Sequence, residues 1–315
     1  MTRLFGRPDP GPGIVDLVPD LHRLTGIAQY RLENGPGSGQ RMIRIDNAAG
    51  LSVELLPDRG LDLGQVRCNG VPFGWIGPIG IADPSRLRGN QSLSGLLSTC
   101  GFDHIRQPET DAGQSYPLHG GMVHQPATVL MAAPVEDDGE TLFRIEAEVV
   151  QYGLAHGGIR LRRRIDVPLT GPEIRLTDDV QVIAGSIPVM AMYHINLGYP
   201  LVGPGMRLEL DGENVTDPAL AEDGIRTRPA GAGQVVLASS DGGLRFGLRF
   251  DAAKLPVFQT LCDRRAGVNL VCLEPATHDR LPRSALRDAG ALQPTAQNGR
   301  HRFQVTMDFS ASVLP

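Results

Sequence analysis

Long apolar runs are missing from this sequence: no stretch of about 18 consecutive apolar residues occurs, so no membrane-spanning helix is expected. The opening MTRLFGRPDPGPG lacks the apolar segment of a secretory signal, and the chain is expected to be cytoplasmic. Cysteine is scarce, at four in 315 residues with no CxxC pair, which excludes a disulfide scaffold. Cys68, Cys100, Cys262 and Cys272 are read as reduced, mostly buried thiols. A surplus of positive charge is absent too. With 30 Lys plus Arg against 35 Asp plus Glu, the net charge of -5 gives no general attraction for nucleic acid or an anionic membrane, and a small molecule is the expected partner.

No helical periodicity persists beyond about three turns. What the sequence has instead is glycine and proline, 39 and 25 residues, which favour many short strands and turns. Leu244, Phe246, Leu248 and Phe250 alternate with Arg245, Gly247 and Arg249, the period of a half-buried strand. The same pattern runs through Phe143–Val149, Ile159–Val167 and Ile174–Val182, with YGLAHGG and LTGP as turns, so three antiparallel strands in succession are predicted. Phe303, Val305, Met307 and Phe309 end the pattern. So many two-faced strands must stack sheet on sheet, giving an all-β fold, a large antiparallel β-sandwich. No fixed-period repeat or low-complexity linker divides the chain, so one domain over residues 1–315 is expected, with residues 1–40 as an N-terminal extension packed on it. Residues 76–126 read as loop-rich, and so long a loop region in a compact domain usually serves a binding site.

Four stretches place reactive groups among apolar neighbours. GLLSTCGFDHI (95–105) carries Asp103 and His104 after a small-residue turn, and PLHGG (117–121) carries His119. MAMYHINLGYP (190–200) carries His194 beside Asn196, and VNLVCLEPATH (268–278) carries Glu274 before Pro275, a residue expected to halt the strand. The two glycines after His119 read as clearance for a ligand against the imidazole. A strand histidine can be a hydrogen-bonded core group, and Glu274 can reach solvent at the strand end or stand in a pocket where desolvation makes it a useful base. His124, His156, His278 and His301 fall in turns or polar contexts and are expected at the surface. Imidazole and carboxylate together suit proton transfer; His119, His124, His194 and Glu274 would equally make a divalent site, although no short HxH or HxxxH spacing supports one.

Taken in order, PDRGLDLG (57–64), GLLSTCGFDHI, PLHGG, MYHINLGYPL and LVCLEPATH resemble the galactose mutarotase (aldose 1-epimerase) superfamily, and among its members a poorly characterised branch of mutarotase-like sugar-binding proteins. The resemblance implies a large β-sandwich and a cofactor-independent, metal-free isomerase that interconverts the anomers of an aldose or sugar acid. It implies Glu274 as the base on the anomeric hydroxyl, His194 as the acid on the ring oxygen and His119 as a second, sugar-bonding histidine. The stretch that would carry a sugar-contacting Arg and Asn in the galactose enzymes reads SLSGLLSTCGFDHI here. FQTLCDRR offers Gln259 or Asp263 where those enzymes have an Asp. Asp103, His104, Arg59, Asn196 and Gln259 are the candidate substrate contacts, Arg59 having the alternative of a turn arginine paired with Asp58 or Asp62. Arg86, Arg88 and Arg106 can receive a carboxylate, phosphate or sulfonate, or simply solvate a loop. The partner is then a neutral or anionic sugar, the protein a monomer or homodimer, and the alternatives are a non-catalytic carbohydrate-binding or regulatory protein and a metal-dependent sugar isomerase.

Overall fold

The alternation along 140–184 is realised as three long strands. The computed structural model describes residues 3–5, 7–8, 17–20, 24–86, 94–154, 156–220 and 222–312. Within them Glu140–Gly153, Gly157–Pro168 and Glu173–Ala184 pair antiparallel, with Ile145 opposite Ile165 and Ile165 opposite Leu176. Thr128–Asp137 flanks them on one side, and Arg300–Ala311 with Leu244–Phe250 extends the sheet on the other, to nine strands in all. A five-stranded sheet forms from Gly26–Arg31, Arg41–Asp46, Leu51–Leu56, Asp62–Cys68 and Val71–Pro72. Gly26–Arg31 thus contributes an edge strand from within residues 1–40.

A second five-stranded sheet has the order Gly224–Pro229, Val257–Asp263, Leu270–Ala276, Met190–Leu197, Leu97–Phe102. One apolar cluster draws on all three sheets, from Ile45 and Val53 through Ile145 and Leu161 to Tyr193 and Leu273. Two expectations are corrected here. The small residues at 97–102 are a strand rather than a turn, buried on both faces, so no alternation betrayed it. Pro275 does not stop its strand: the pairing with Val257–Asp263 continues through Phe258 opposite Pro275, and the rungs opposite Tyr193 and His194 are the ones missing.

The sheets are tied by a polar node in this core. Arg163, 1% exposed, donates from Nε and Nη2 to Asp178 (2.8 and 2.7 Å), from Nη1 to Asp62 (3.0 Å) and from Nη2 to Thr99 Oγ1 (2.8 Å). Tyr193 donates its hydroxyl proton to Asp178 (2.7 Å), and Thr99 donates to Asp62 (2.6 Å). Burial alone would lower the Arg163 pKa, but the two carboxylates outweigh it and hold the guanidinium above its ordinary value. Removing the cation leaves the buried Asp178 carboxylate without a cationic partner among the described residues and Asp62 with Arg59 at 3.5 Å. Arg163→Ala is therefore expected to cost about 3–5 kcal/mol of unfolding free energy, and Tyr193→Phe, which removes one bond to a charged acceptor, about 1.5–3 kcal/mol. Urea denaturation checks the order of the two losses; a larger loss for Tyr193→Phe contradicts the assignment of Arg163 as the centre.

Candidate active site

Side chains alternate along Met190–Leu197. Ala191, Tyr193, Ile195 and Leu197 join the main core, which turns Met190, Met192, His194 and Asn196 to the opposite face. The register then assembles a row across the sheet. Ile195 opposite Leu273 and Met192 opposite Ala276 set His194 against Glu274; Gln259 lies opposite Glu274, and Ser98 opposite His194. Residues directly opposite in antiparallel strands share a face, so Gln259, Glu274, His194 and Ser98 line up although they are up to 176 positions apart in sequence.

Glu274 is fully buried and His194 nearly so. Glu274 Oε1 faces His194 Nε2 at 3.3 Å, and Glu274 Oε2 accepts a hydrogen bond from Gln259 Nε2. On the far side of the ring, His194 Nδ1 lies 2.6 Å from Asn196 Oδ1, while Asn196 Nδ2 donates to the Gly95 carbonyl at 3.1 Å. With its amide nitrogen committed, Asn196 presents oxygen to the imidazole, so Nδ1 carries the proton and Nε2 is the atom that gains or gives one. Burial raises the Glu274 carboxyl above the ordinary range, and His194, Arg106 and the Gln259 bond pull it partly back.

His119 reaches the same place from a loop. Its backbone is left-handed, at φ 62°, and is held by Gly101 N–H donating to His119 O (2.9 Å) and His119 N–H donating to Arg106 O (2.7 Å). Its ring meets that of His194 edge to face at 5.2 Å, and its Nδ1 is buried without a hydrogen-bond partner among the described residues. Burial, then His194, His104 and Arg106, lower its pKa well below the usual histidine value, so His119 is neutral at neutral pH. The glycines beside it do not clear space for a ligand. A Cβ on Gly120 would stand 2.4 Å from the His104 carbonyl, and one on Gly121 would stand 2.4 Å from the Gln151 side-chain nitrogen. Gly120, at φ 80°, is required by the close approach of the backbone at His104 and Gly101, whereas Gly121 meets the movable end of the Gln151 side chain.

The other expected contacts divide. Gln259 and Asn196 belong to the site, each bonded to one member of the pair. Asp103 accepts from Gly121 N–H (3.1 Å) and Gln151 Nε2 (2.8 Å), fixing the loop under His119. His104 is buried with Nε2 on the Gln107 carbonyl (2.6 Å). Arg59, 3% exposed, lies against Asp62 and donates to the Ser94 and Leu97 carbonyls, inside the core and not in the row. Asp263 pairs with Arg265 at the end of its strand. His124 and His156 are exposed as expected, whereas His278 and His301 are half-buried and hydrogen-bonded to Thr277 and Thr295.

Two site residues escaped the sequence reading. Arg106, considered only as one of three loop arginines, donates from Nε to Gln259 Oε1 (2.9 Å) and from Nη1 to the Asp279 carbonyl (2.9 Å). Nothing in the sequence signals that contact across 153 positions. Cys272 was readable: two positions before Glu274 on one strand, it shares the same face, and its thiol lies 3.5 Å from Asn196 Oδ1. His194, Cys272 and Glu274 each bring a ligating atom within 4.8 Å of the others. A divalent ion there would need the thiolate, and burial followed by Glu274 pushes the Cys272 thiol well up. Of the four ligands expected in the divalent reading, His194 and Glu274 are in this group and His119 and His124 are not.

Residues 37–224 match the model of a family described as a domain of unknown function, DUF4432. No curated protein matches the sequence. Among solved structures, the chain is similar to a provisionally named aldose 1-epimerase from Klebsiella pneumoniae, with a TM-score of 0.78 at 18% identity over 91% of this chain and 83% of that one. It is also similar to galactose 1-epimerase from Lactobacillus acidophilus, with a TM-score of 0.62 at 13% identity over 92% and 100% of the two chains. A galactose mutarotase-like protein from Clostridium acetobutylicum gives 0.62 at 12% identity, over 91% and 99%. At these identities the likeness establishes the fold. The antiparallel sheets are those of the galactose mutarotase-like fold, and with more than half of its length matched the chain belongs to the DUF4432 family.

Proposed function

We propose that this protein accelerates anomer exchange of an aldose or sugar acid by opening and reclosing the hemiacetal ring. Glu274, as the carboxylate, removes the proton from the anomeric hydroxyl; His194, protonated at both ring nitrogens, delivers its Nε2 proton to the ring oxygen and is left with Nδ1–H; and His119, neutral, hydrogen-bonds the sugar. The observation that carries this reading is the side-by-side pair: Glu274 Oε1 and His194 Nε2 at 3.3 Å, each tied back on its outer atom by Gln259 or Asn196. The two hemiacetal oxygens share one carbon, so their base and acid must stand next to each other. Ring opening moves one proton off and one on, and reclosure on the other face of the aldehyde reverses both. No electrons change hands, so the step requires no redox cofactor. Acid and base terms of roughly 10²- to 10⁴-fold each suffice for a reaction that already proceeds slowly in water.

A second reading rests on the His194–Cys272–Glu274 group, which would hold a divalent ion in a metal-dependent isomerase. Loss of activity with chelator, restored by one divalent ion, favours that reading; full activity in a metal-free preparation removes it.

Exchange NMR on a panel of aldoses and sugar acids tests the acid–base proposal. Glu274→Gln should lower catalysed exchange by roughly 100-fold or more with the urea midpoint near that of the parent protein, since the amide fills the same volume but takes no proton. Absence of acceleration by the parent protein across the panel rules out the activity. The pH profile gives a second check. The active form needs the Glu274 carboxylate, and burial makes that carboxyl hold its proton to higher pH than an ordinary glutamate. Catalysis should therefore fall off with decreasing pH above the ordinary carboxylate range. Gln259→Leu removes a bond that favours the anion, so it should move this acid limb further up. A limb left unmoved separates Gln259 from the base.

A further inference from the structure

Two hydrogen bonds from Glu274, through Gln259 and Arg106, lies a cavity of about 360 Å³, walled by residues 104–109, Met190 and residues 280–283. That volume suits a monosaccharide or part of one. Five ionisable side chains line it, and their bonding separates them. Arg283 is spent: it is 2% exposed, with Nε on Asp111 (3.2 Å), Nη1 on the Asp103 carbonyl (2.9 Å) and Nη2 near the Tyr116 hydroxyl (3.3 Å). Glu109 accepts the Arg283 backbone N–H on both carboxylate oxygens, at 2.9 and 3.1 Å. His104 has Nε2 on the Gln107 carbonyl, and burial lowers its pKa, leaving it neutral.

Two cations remain. Arg106, 8% exposed, has Nε and Nη1 fixed by Gln259 and the Asp279 carbonyl, while Nη2 is buried with no hydrogen-bond partner among the described residues. Arg280 is exposed at the rim, and its guanidinium has no ion pair among the described residues; only its backbone N–H is bonded, to Asp279 Oδ1 at 2.7 Å. Arg106 also belongs to both places. It lines the cavity, and through Gln259 it reaches the carboxylate of Glu274. Of the other loop arginines, Arg86 is paired with Asp83 (3.4 Å) and Arg88 lies outside the described residues.

We infer that this cavity receives an oxyanion substituent of the sugar, a carboxylate or a phosphate ester, recognised by Arg106 and Arg280. The inference rests on the acid–base reading for placing the anomeric end at Glu274 and His194. A guanidinium fixed at two nitrogens is already oriented, so binding an oxyanion costs it little side-chain entropy. Arg280 adds the second charge from solvent, where its contribution is screened by salt.

Calorimetry with the full chain compares galactose, galacturonate and galactose 6-phosphate, and exchange NMR runs on the same samples. At least one charged sugar should bind about tenfold or more tightly than galactose, with the preference shrinking in high salt. Arg280→Gln, at an exposed position where folding is not at stake, and Arg106→Gln should each cut the charged-to-neutral ratio severalfold. Equal affinities for charged and neutral sugars, no binding of either charged sugar, or a ratio unchanged in both variants overturns the inference. Selective binding without accelerated exchange supports it and removes the acid–base reading; accelerated exchange with no charge preference does the reverse.

Discussion

The structure hangs on one buried guanidinium. Arg163 sits on the nine-stranded sheet, and its five-donor fork reaches Asp178 on the neighbouring strand, Asp62 on one smaller sheet and Thr99 on the other. Apolar packing is non-directional and would let three sheets settle at several angles. A charged node with every acceptor named does not, because displacing one carboxylate strands it away from water. Two of its members, Tyr193 and Thr99, are immediate chain neighbours of His194 and Ser98. The same strands that are pinned on their inner face therefore present the reactive row on their outer face. Position at the site follows from charge balance in the core.

That arrangement resolves how a carboxyl and an imidazole can be buried together. Each is satisfied on the side away from the other, Glu274 by Gln259 and His194 by Asn196. Each is left under-satisfied where they meet: among the described residues Glu274 Oε1 has only the imidazole at 3.3 Å, and His119 Nδ1 nearby has no hydrogen-bond partner. Unmet hydrogen-bonding capacity in a dry place is costly to a fold and useful to a ligand that brings hydroxyls. The missing rungs opposite Tyr193 and His194, where Pro275 offers no N–H, fall at the same spot.

The large sheet was legible from alternation alone, because its strands are long and keep one apolar face: Phe143, Ile145, Ala147 and Val149 are all buried as the period requires. Leu97–Phe102 was not, since a short strand buried on both faces has no alternation to read. At the site, His119, His194 and Glu274 stood out as polar groups in apolar runs, and they do meet. Their supports are mixed. Asn196 and Cys272 follow from counting by two along a strand, whereas Arg106 approaches from a loop with a left-handed backbone at φ 69°, a placement only the folded chain reveals. Arg59 and Asp103 went the other way: polar residues next to motif glycines, they serve the core and a turn, because a buried backbone carbonyl or N–H needs a partner as much as a sugar does.

Glu274 and His194 ride on central strands, while much of the nearby cavity wall comes from the connections 104–109 and 280–283. Arg280 and Leu281 belong to no strand and take part in no strand pairing. Among the described residues, only Arg106, hydrogen-bonded to Gln259, ties that wall to Glu274; the remaining connecting residues make no hydrogen bond to the pair, so under the proposed reading a new ligand is accommodated by editing positions such as 280 and 281.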